Sequence, residues 1–291
     1  MNADHEAPRI GQVRVAAVLV NWRQPELTVE AVQALARQTL RCVKVIVVDN
    51  GSGDGSAELL KASLPDALVV CNEKNAGFGV GCNSGIERAL AEGVDYVWLV
   101  NNDAKLHEQC LEFLLACAQA DLKVGAVGAR ICDPNRVVVD HAGTVMHPLT
   151  FTCRYTMLEV EVNEATYAWL TGASILLSVP AVRQVGLFDS EFFMYWEDAD
   201  LCHRIRQAGF RLAIAPEAIV FHVAGTSSNE MRVTRFSWHL ESQIRWIRKN
   251  YSLPLYGVFL VYVRHLVKSI ISRDLERFFM TLKSLKSSLK N

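Results

Sequence analysis

Three acidic side chains, Glu197, Asp198 and Asp200, fall within four positions of the stretch FFMYWEDADLCHRIRQAGF, directly after five apolar or aromatic residues. Carboxylates crowded beside aromatic surface repel one another and lose hydration, so they call for a metal, a cationic partner or a chemical task. On a helix that starts at Glu197, a rotation of about 100° per residue puts Leu201, Ile205 and Ala208 on one apolar stripe. Glu197 and Asp198 flank that stripe, whereas Asp200 points elsewhere, in i,i+4 register with Arg204. Asp200 is therefore expected in an ion pair, at the surface or behind the site. Glu197 and Asp198 face the core side of the helix mouth, beside Tyr195 and Trp196, where each raises the other's pKa, as suits a general base. The competing role is that of a charged first turn, favoured by the helix dipole.

Other polar residues stand where chemistry could use them. In WLVNND, Asp103 follows Asn101 and Asn102 at the end of an apolar run. A carboxylate there can hold Mg²⁺ or Mn²⁺ together with a diphosphate, or it can cap a helix beginning near Leu106. His222, in FHVAGTS, is either a satisfied structural histidine or, if it faces Asp103, a metal ligand. NAGFGVGCNSG packs four glycines between a strand and a helix, which allows backbone N–H groups to approach phosphate oxygens. The G-x-G-x-x-G fingerprint of nicotinamide-dependent oxidoreductases does not fit, because the glycines follow the third strand and position 84 is Ser84. A P-loop motif is absent as well.

The elements that must position these residues can be read from periodicity. Val13 to Trp22, Val43 to Asn50, Ala67 to Asn72 and Val94 to Asp103 predict strands. Amphipathic helical patterns follow each of them. This alternation predicts βαβ units on a sheet covered on both faces, parallel through this half. Polar residues collect at the carboxyl ends of the four strands: Asn21, Asp49 with Asn50, Asn72 to Asn75, and Asn101 to Asp103. In an open α/β sheet that rim binds ligands, although Asn, Asp and Gly are also ordinary turn residues. Farther on, Leu170 to Ser178 predicts a buried strand and AVRQVGLFD a short helix ending at Gly186. FRLAIAP and AIVFHVAGTS predict further strands. From about Glu230 the pattern is helical, in two segments broken near Pro254.

The 291 residues carry a net charge of −1, which conceals an asymmetry. From Glu230 onward there are 12 Lys and Arg against 4 Asp and Glu, so a basic tail follows an acidic body. Such a tail suits a polyanionic partner, and its apolar content favours lipid headgroups over nucleic acid. Ordinary helix packing or a homo-oligomer interface would explain the same pattern. The start, MNADHEAPRIGQVR, has no apolar run of a secretory signal and is expected to be a flexible lead over residues 1–12. A cytoplasmic location, peripheral on the inner membrane face, follows as the expectation. The eight cysteines form no C-x2-C pair, so most are expected to be buried thiols. The apolar run Leu253 to Val263 is too short to span a bilayer before Arg264 interrupts it.

Taken in order, VLVNW, VIVVDNGSGDGS, NEKNAGFGVGCNSG, WLVNNDA, LTGASILL, VGLFDSEFFMYWEDADLCHRIRQAGF and FHVAGTS resemble the inverting nucleotide-sugar enzymes of glycosyltransferase family 2, in particular its bacterial rhamnosyltransferase-like branch. The resemblance runs from about Val13 to Ser227. It implies a GT-A α/β fold, with a Rossmann-like mixed sheet over residues 13–229, followed by a basic amphipathic helical extension over 230–291. It further implies that Asp49 bonds the nucleotide base, with Asn21, Asn50, Asn75, Gly77, Gly79, Asn83, Asn101 and Asn102 on the donor side. Asp103 and His222 would hold Mg²⁺ or Mn²⁺, and Asn101 stands where the family's D-x-D motif has its first Asp. Asp198 would be the catalytic base, tuned by Glu197, with Trp169, Gly172 and Trp196 on the acceptor side. The implied reaction moves L-rhamnose from dTDP-L-rhamnose to a saccharide or lipid-linked acceptor in bacterial cell-surface polysaccharide synthesis. A UDP-hexose or UDP-galactofuranose donor, and a nucleotide-sugar-binding protein without catalysis, are the alternatives.

Overall fold

The computed structural model describes residues 13–132, 140–222 and 229–288. The expected lead over residues 1–12 lies outside these. The first half alternates as its periodicity predicts: β1 (Val15–Asn21), α1 (Pro25–Ala36), β2 (Lys44–Asp49), α2 (Ser56–Ser63), β3 (Leu68–Cys71), α3 (Phe78–Ala91) and β4 (Tyr96–Val100). A short β5 (Lys105–Leu106) precedes α4 (Cys110–Gln119), so Asp103 does not cap a helix. Then come β6 (Val124–Cys132), β7 (Gly143–Met146), β8 (Cys153–Thr156), α5 (Glu159–Glu164), β9 (Tyr167–Leu170), β10 (Ser174–Ser178) and α6 (Val179–Val185). The chain ends with α7 (Glu197–Gln207), β11 (Arg211–Phe221), α8 (Asn229–Asn250), α9 (Pro254–Ile271) and α10 (Leu275–Ser288).

Eight strands form one mixed sheet in the order β3-β2-β1-β4-β10-β6-β11-β5, and β8-β7-β9 form a second, antiparallel one. The β-branched runs of β1, β2 and β4 pair in parallel and are buried, since helices cover both faces of the sheet. The chain order reverses between β1 and β4, which opens a crevice at their carboxyl ends. Strand β10 runs antiparallel between β4 and β6, with Ser174 opposite Val100. Its entry therefore lies on the same rim where β4 ends. FRLAIAP and AIVF join into the single strand β11, with a register shift between Ala215 and Ile219.

The tail holds three helices where two were expected, with breaks before Pro254 and after Ile271. Leu240, Ile244, Trp246 and Ile247 of α8 join the core that covers one sheet face, so this helix is packed as part of the body. Helix α9 carries the apolar run on past Arg264 and, by length and composition alone, is long and apolar enough to cross a bilayer; 33% of that window is buried within the protein. All eight cysteines are free, but only Cys82, Cys110 and Cys202 are fully buried. Cys71 and Cys153 are exposed, which corrects the expectation of mostly buried thiols.

Candidate active site

Two consecutive aromatic residues in left-handed backbone set the direction of α7. Tyr195 and Trp196 both have φ 68°, a conformation that disfavours side chains with a Cβ by about 1–2 kcal/mol each. Surrounding contacts hold them there. Trp196 packs between Trp169 (ring centroids 5.1 Å) and Trp246 (5.7 Å), and Ser242 Oγ donates to the carbonyl of Met194 at 2.8 Å. The first turn of α7 consequently faces a cavity of about 570 Å³.

Asp198 stands on that cavity's wall with its carboxylate anchored on two sides. The backbone N–H of Gly172 donates to Oδ2 at 3.0 Å, and that of Ala199 to Oδ1 at 2.8 Å. Gly172 precedes β10, so the antiparallel insertion is what delivers this donor. A Cβ on Gly172 would lie 3.2 Å from Asp198 Oδ2, and its absence lets the carboxylate approach the backbone. Desolvation raises the Asp198 pKa, and the two backbone bonds oppose that rise. Glu197 is buried, its Oε2 has no hydrogen-bond partner, and its pKa is raised by desolvation first and by Asp198 second. With donors on one carboxylate and none on Oε2 of the other, Asp198 ionises first and Glu197 keeps its proton. Asp200 belongs elsewhere. It pairs with Arg204 as expected (2.8 Å) and also with Lys249 (2.8 Å), but it is fully buried, which excludes a surface pair.

At the end of β4, Asp103 Oδ1 and His222 Nε2 lie 3.2 Å apart. Asn101 Nδ2 is 3.5 Å from the same Nε2, while Asn101 Oδ1 is buried without a partner. A carboxylate, an imidazole and an orphaned amide oxygen form a donor set that suits a hard divalent cation completed by substrate oxygens. Among the described residues no group of three or more His, Cys, Asp or Glu could hold a metal unaided.

The donor-side candidates form a neighbouring hydrogen-bond network. Asn21 is fully buried; its Nδ2 donates to Asp49 Oδ1 at 2.8 Å, and its Oδ1 accepts from Thr28 Oγ1 at 2.9 Å. Asn102 Nδ2 donates to the same Thr28 hydroxyl at 3.1 Å, linking the ends of β4 and β1. Asp49 is buried and also accepts from Ser52 N and Oγ, so Asn21 acts as a strut for it. Asn50 Nδ2 donates to Asn75 Oδ1 and the Gly77 carbonyl. Asn83 braces the Phe188 backbone through both ends of its amide (2.8 and 2.9 Å).

The glycines of NAGFGVGCNSG have packing reasons. Gly77 has φ 98°, and a Cβ there would meet the Phe193 carbonyl at 2.2 Å; Gly79 lies against Phe188 and Glu197. Gly77 and Gly79 thus allow close approach to the loop before α7 and its first turn, while Gly81 and Gly85 lie against Val20 and Val18 of β1.

The cavity gathers Asn101, His222, Gly172, Asp198, Glu197, Trp169 and Trp196. It is also lined by groups not expected from sequence: Arg154 and Tyr155 of β8, His141, and His239 of α8. His141 and Tyr155 stack at 3.9 Å. The strand CRYT offers no periodic signal that would have identified it.

The sequence profile of glycosyltransferase-like family 2 matches residues 12–249. An N-acetylglucosaminyl-diphospho-decaprenol L-rhamnosyltransferase of Mycobacterium tuberculosis is 28% identical over 242 residues, covering 75% of this chain and 79% of the relative. A galactofuranosyltransferase of the same organism is 27% identical, covering 73% and 71%. Among solved structures, a mannosyltransferase of Pyrobaculum calidifontis in complex with GDP-Man and Mn²⁺ superposes with a TM-score of 0.62 at 18% identity, over 98% of this chain and 77% of that one. The fold is GT-A, a mixed α/β sheet followed by C-terminal helices, and the chain belongs to glycosyltransferase-like family 2.

Proposed function

We propose that this enzyme transfers L-rhamnose from dTDP-L-rhamnose, with inversion, to a hydroxyl of a saccharide or lipid-linked acceptor in bacterial cell-surface polysaccharide synthesis. The observation that carries the reading is Asp198, a carboxylate fixed by two backbone N–H groups on the wall of an aromatic cavity, beside a buried Glu197. In the proposed reaction the acceptor oxygen attacks the anomeric carbon, and the bond from that carbon to the diphosphate oxygen breaks with inversion. The hydroxyl proton passes to Asp198, and the nucleoside diphosphate departs with the bonding electron pair. Asp103, His222 and the Asn101 amide oxygen would hold Mg²⁺ or Mn²⁺, whose bound charge would stabilise the leaving diphosphate. Trp169 and Trp196, which border the cavity beside Asp198, would form its apolar acceptor side. Asp49, set by Asn21 and Ser52, stays on the nucleotide side with Asn50 and Asn75.

The rhamnosyltransferase relative supports the favoured sugar, while the galactofuranosyltransferase relative supports a UDP-sugar as the second reading. A screen of nucleotide sugars for metal-dependent thermal stabilisation separates the two, since ligand binding to the native state raises the melting temperature. Asp198→Asn is expected to lower transfer by roughly 10³-fold, within the range of a lost general base, with donor stabilisation kept. Equal loss of both would make Asp198 structural and refute the mechanism.

We also place the enzyme on the cytoplasmic face of an anionic membrane. Leu255, Phe259, Ile270 and Ile271 of α9, with Leu275 and Phe279 of α10, are exposed apolar side chains in the basic tail. Flotation with phosphatidylglycerol vesicles should fall for a Phe259→Ser, Phe279→Ser double variant. Unchanged flotation, or a shift in oligomeric state instead, would assign the face to a subunit interface.

A further inference from the structure

Among the described residues, helices α8 to α10 bring two arginines together without a carboxylate in an ion pair with either. Arg264 of α9 and Arg277 of α10 converge on His265: Arg277 Nη2 lies 2.9 Å from Nδ1, and Arg264 Nη2 lies 3.4 Å from Nε2. A neutral imidazole has one acceptor nitrogen, so it can satisfy one of these two guanidinium groups only. Arg277 also lies over the Phe236 ring at 4.6 Å, and its Nε is buried with no hydrogen-bond partner. Arg264 donates to the carbonyls of Thr150 and Phe151 and to Gln243 Oε1. Among the described residues neither arginine forms a side-chain ion pair. Asp274 is an acidic neighbour of Arg277, but its Oδ1 accepts the backbone N–H of that residue. Burial, followed by the two arginines, pushes His265 down to about 3 and His239 down to about 4, so both rings are neutral at physiological pH.

This cluster adjoins the cavity. His239 lines the cavity beside Tyr195 and Trp196, at ring-centroid distances of 5.7 and 5.8 Å, and on α8 it stands between Phe236, over which Arg277 lies, and Gln243, which accepts from Arg264. Cys153, another lining residue, follows two positions after Phe151, whose carbonyl accepts from Arg264. Half-buried guanidinium groups gain most from an anion that offers several acceptor oxygens at once, which is the chemistry of a phosphate. We infer that Arg264 and Arg277 form a subsite for a phosphate-type anion carried by the acceptor, entered beside His239. The inference rests on the reading of the cavity as the place where an acceptor meets Asp198. A bound phosphate would give Arg277 Nε an acceptor and relieve the competition at His265.

The test uses the full-length protein in EDTA, so that a cation-dependent donor site does not contribute, titrated with inorganic pyrophosphate and followed by tryptophan fluorescence. Arg277→Gln should weaken binding at least tenfold with circular dichroism and thermal midpoint near wild type. Lys283→Gln, an exposed charge on the same helix, should leave it unchanged. Arg277→Lys, which keeps the charge and loses the fork, replaces the Gln variant if that one fails to fold, and the same tenfold loss is expected. In parallel, phosphatidylglycerol vesicles replace pyrophosphate. Loss of vesicle binding in the variant with unchanged pyrophosphate affinity would reassign the cluster to a lipid headgroup and overturn the acceptor assignment. No change with either probe overturns the subsite altogether. Donor stabilisation in the presence of metal is recorded separately on the same variant, so failure of the subsite and failure of the transferase reading give different results.

Discussion

Glu197→Gln tests the electrostatics of the site without removing the proposed base, Asp198. Native Glu197 keeps its proton at pH values where the unfolded chain, with an ordinary value of 4.5, has released it. The native state then binds more protons than the unfolded one, so stability falls as pH rises from 4.5 toward the raised native value. One such group contributes a slope of about 1.4 kcal/mol per pH unit across that window. Asp198 adds its own slope over a narrower window, because its two N–H partners favour the charged form. Glutamine keeps the shape of the protonated acid and cannot titrate. Its amide N–H in place of the unpartnered Oε2 costs about 1–3 kcal/mol, but as an offset independent of pH. Urea unfolding of the two proteins at pH 5, 6 and 7 should therefore show the variant gaining on wild type by about 1.4 kcal/mol per pH unit. Transfer at neutral pH should survive, since Asp198 remains. Parallel stability curves would refute the argument, because they would mean that Glu197 is already ionised in the native protein.

Two further substitutions probe the supports of the site. Gly172→Ala places a Cβ 3.2 Å from Asp198 Oδ2 and should lower kcat by about 10- to 100-fold through misplacement of the proposed base, with donor stabilisation and urea midpoint near wild type. Asp200→Asn leaves Arg204 and Lys249 facing a neutral group inside the fold; because Lys249 is partly exposed, a loss of about 3 kcal/mol is expected in urea unfolding, the low end for a broken buried pair.

What the sequence discloses depends on whether a residue's partner is local or is supplied by topology. The pairing of Asp200 with Arg204 is legible because i,i+4 neighbours share a helix face. Its burial is not, because Lys249 arrives from α8. The parallel half of the sheet is legible in its β-branched runs, but SILLS reads the same whichever way it is inserted. Its antiparallel course is nonetheless what brings the Gly172 N–H to Asp198. The glycines of NAGFGVGCNSG carry an ambiguity of a different origin: a missing Cβ serves a phosphate and a packed neighbour equally well, and here Phe193 lies against Gly77, Phe188 against Gly79, and the β1 side chains Val20 and Val18 against Gly81 and Gly85. Asp103 and His222 are 119 positions apart by number; the family resemblance pairs them, and the joining of β5 and β11 at the sheet edge is what brings them within 3.2 Å. The carboxylate proposed as the base has two donors, an aromatic enclosure and a buried acidic neighbour, and these come from the entry to β10, from β9 and from α7 behind the left-handed Tyr195–Trp196 step. The acidic motif thus identifies the candidate proton acceptor, whereas its activation is a property of the assembled fold.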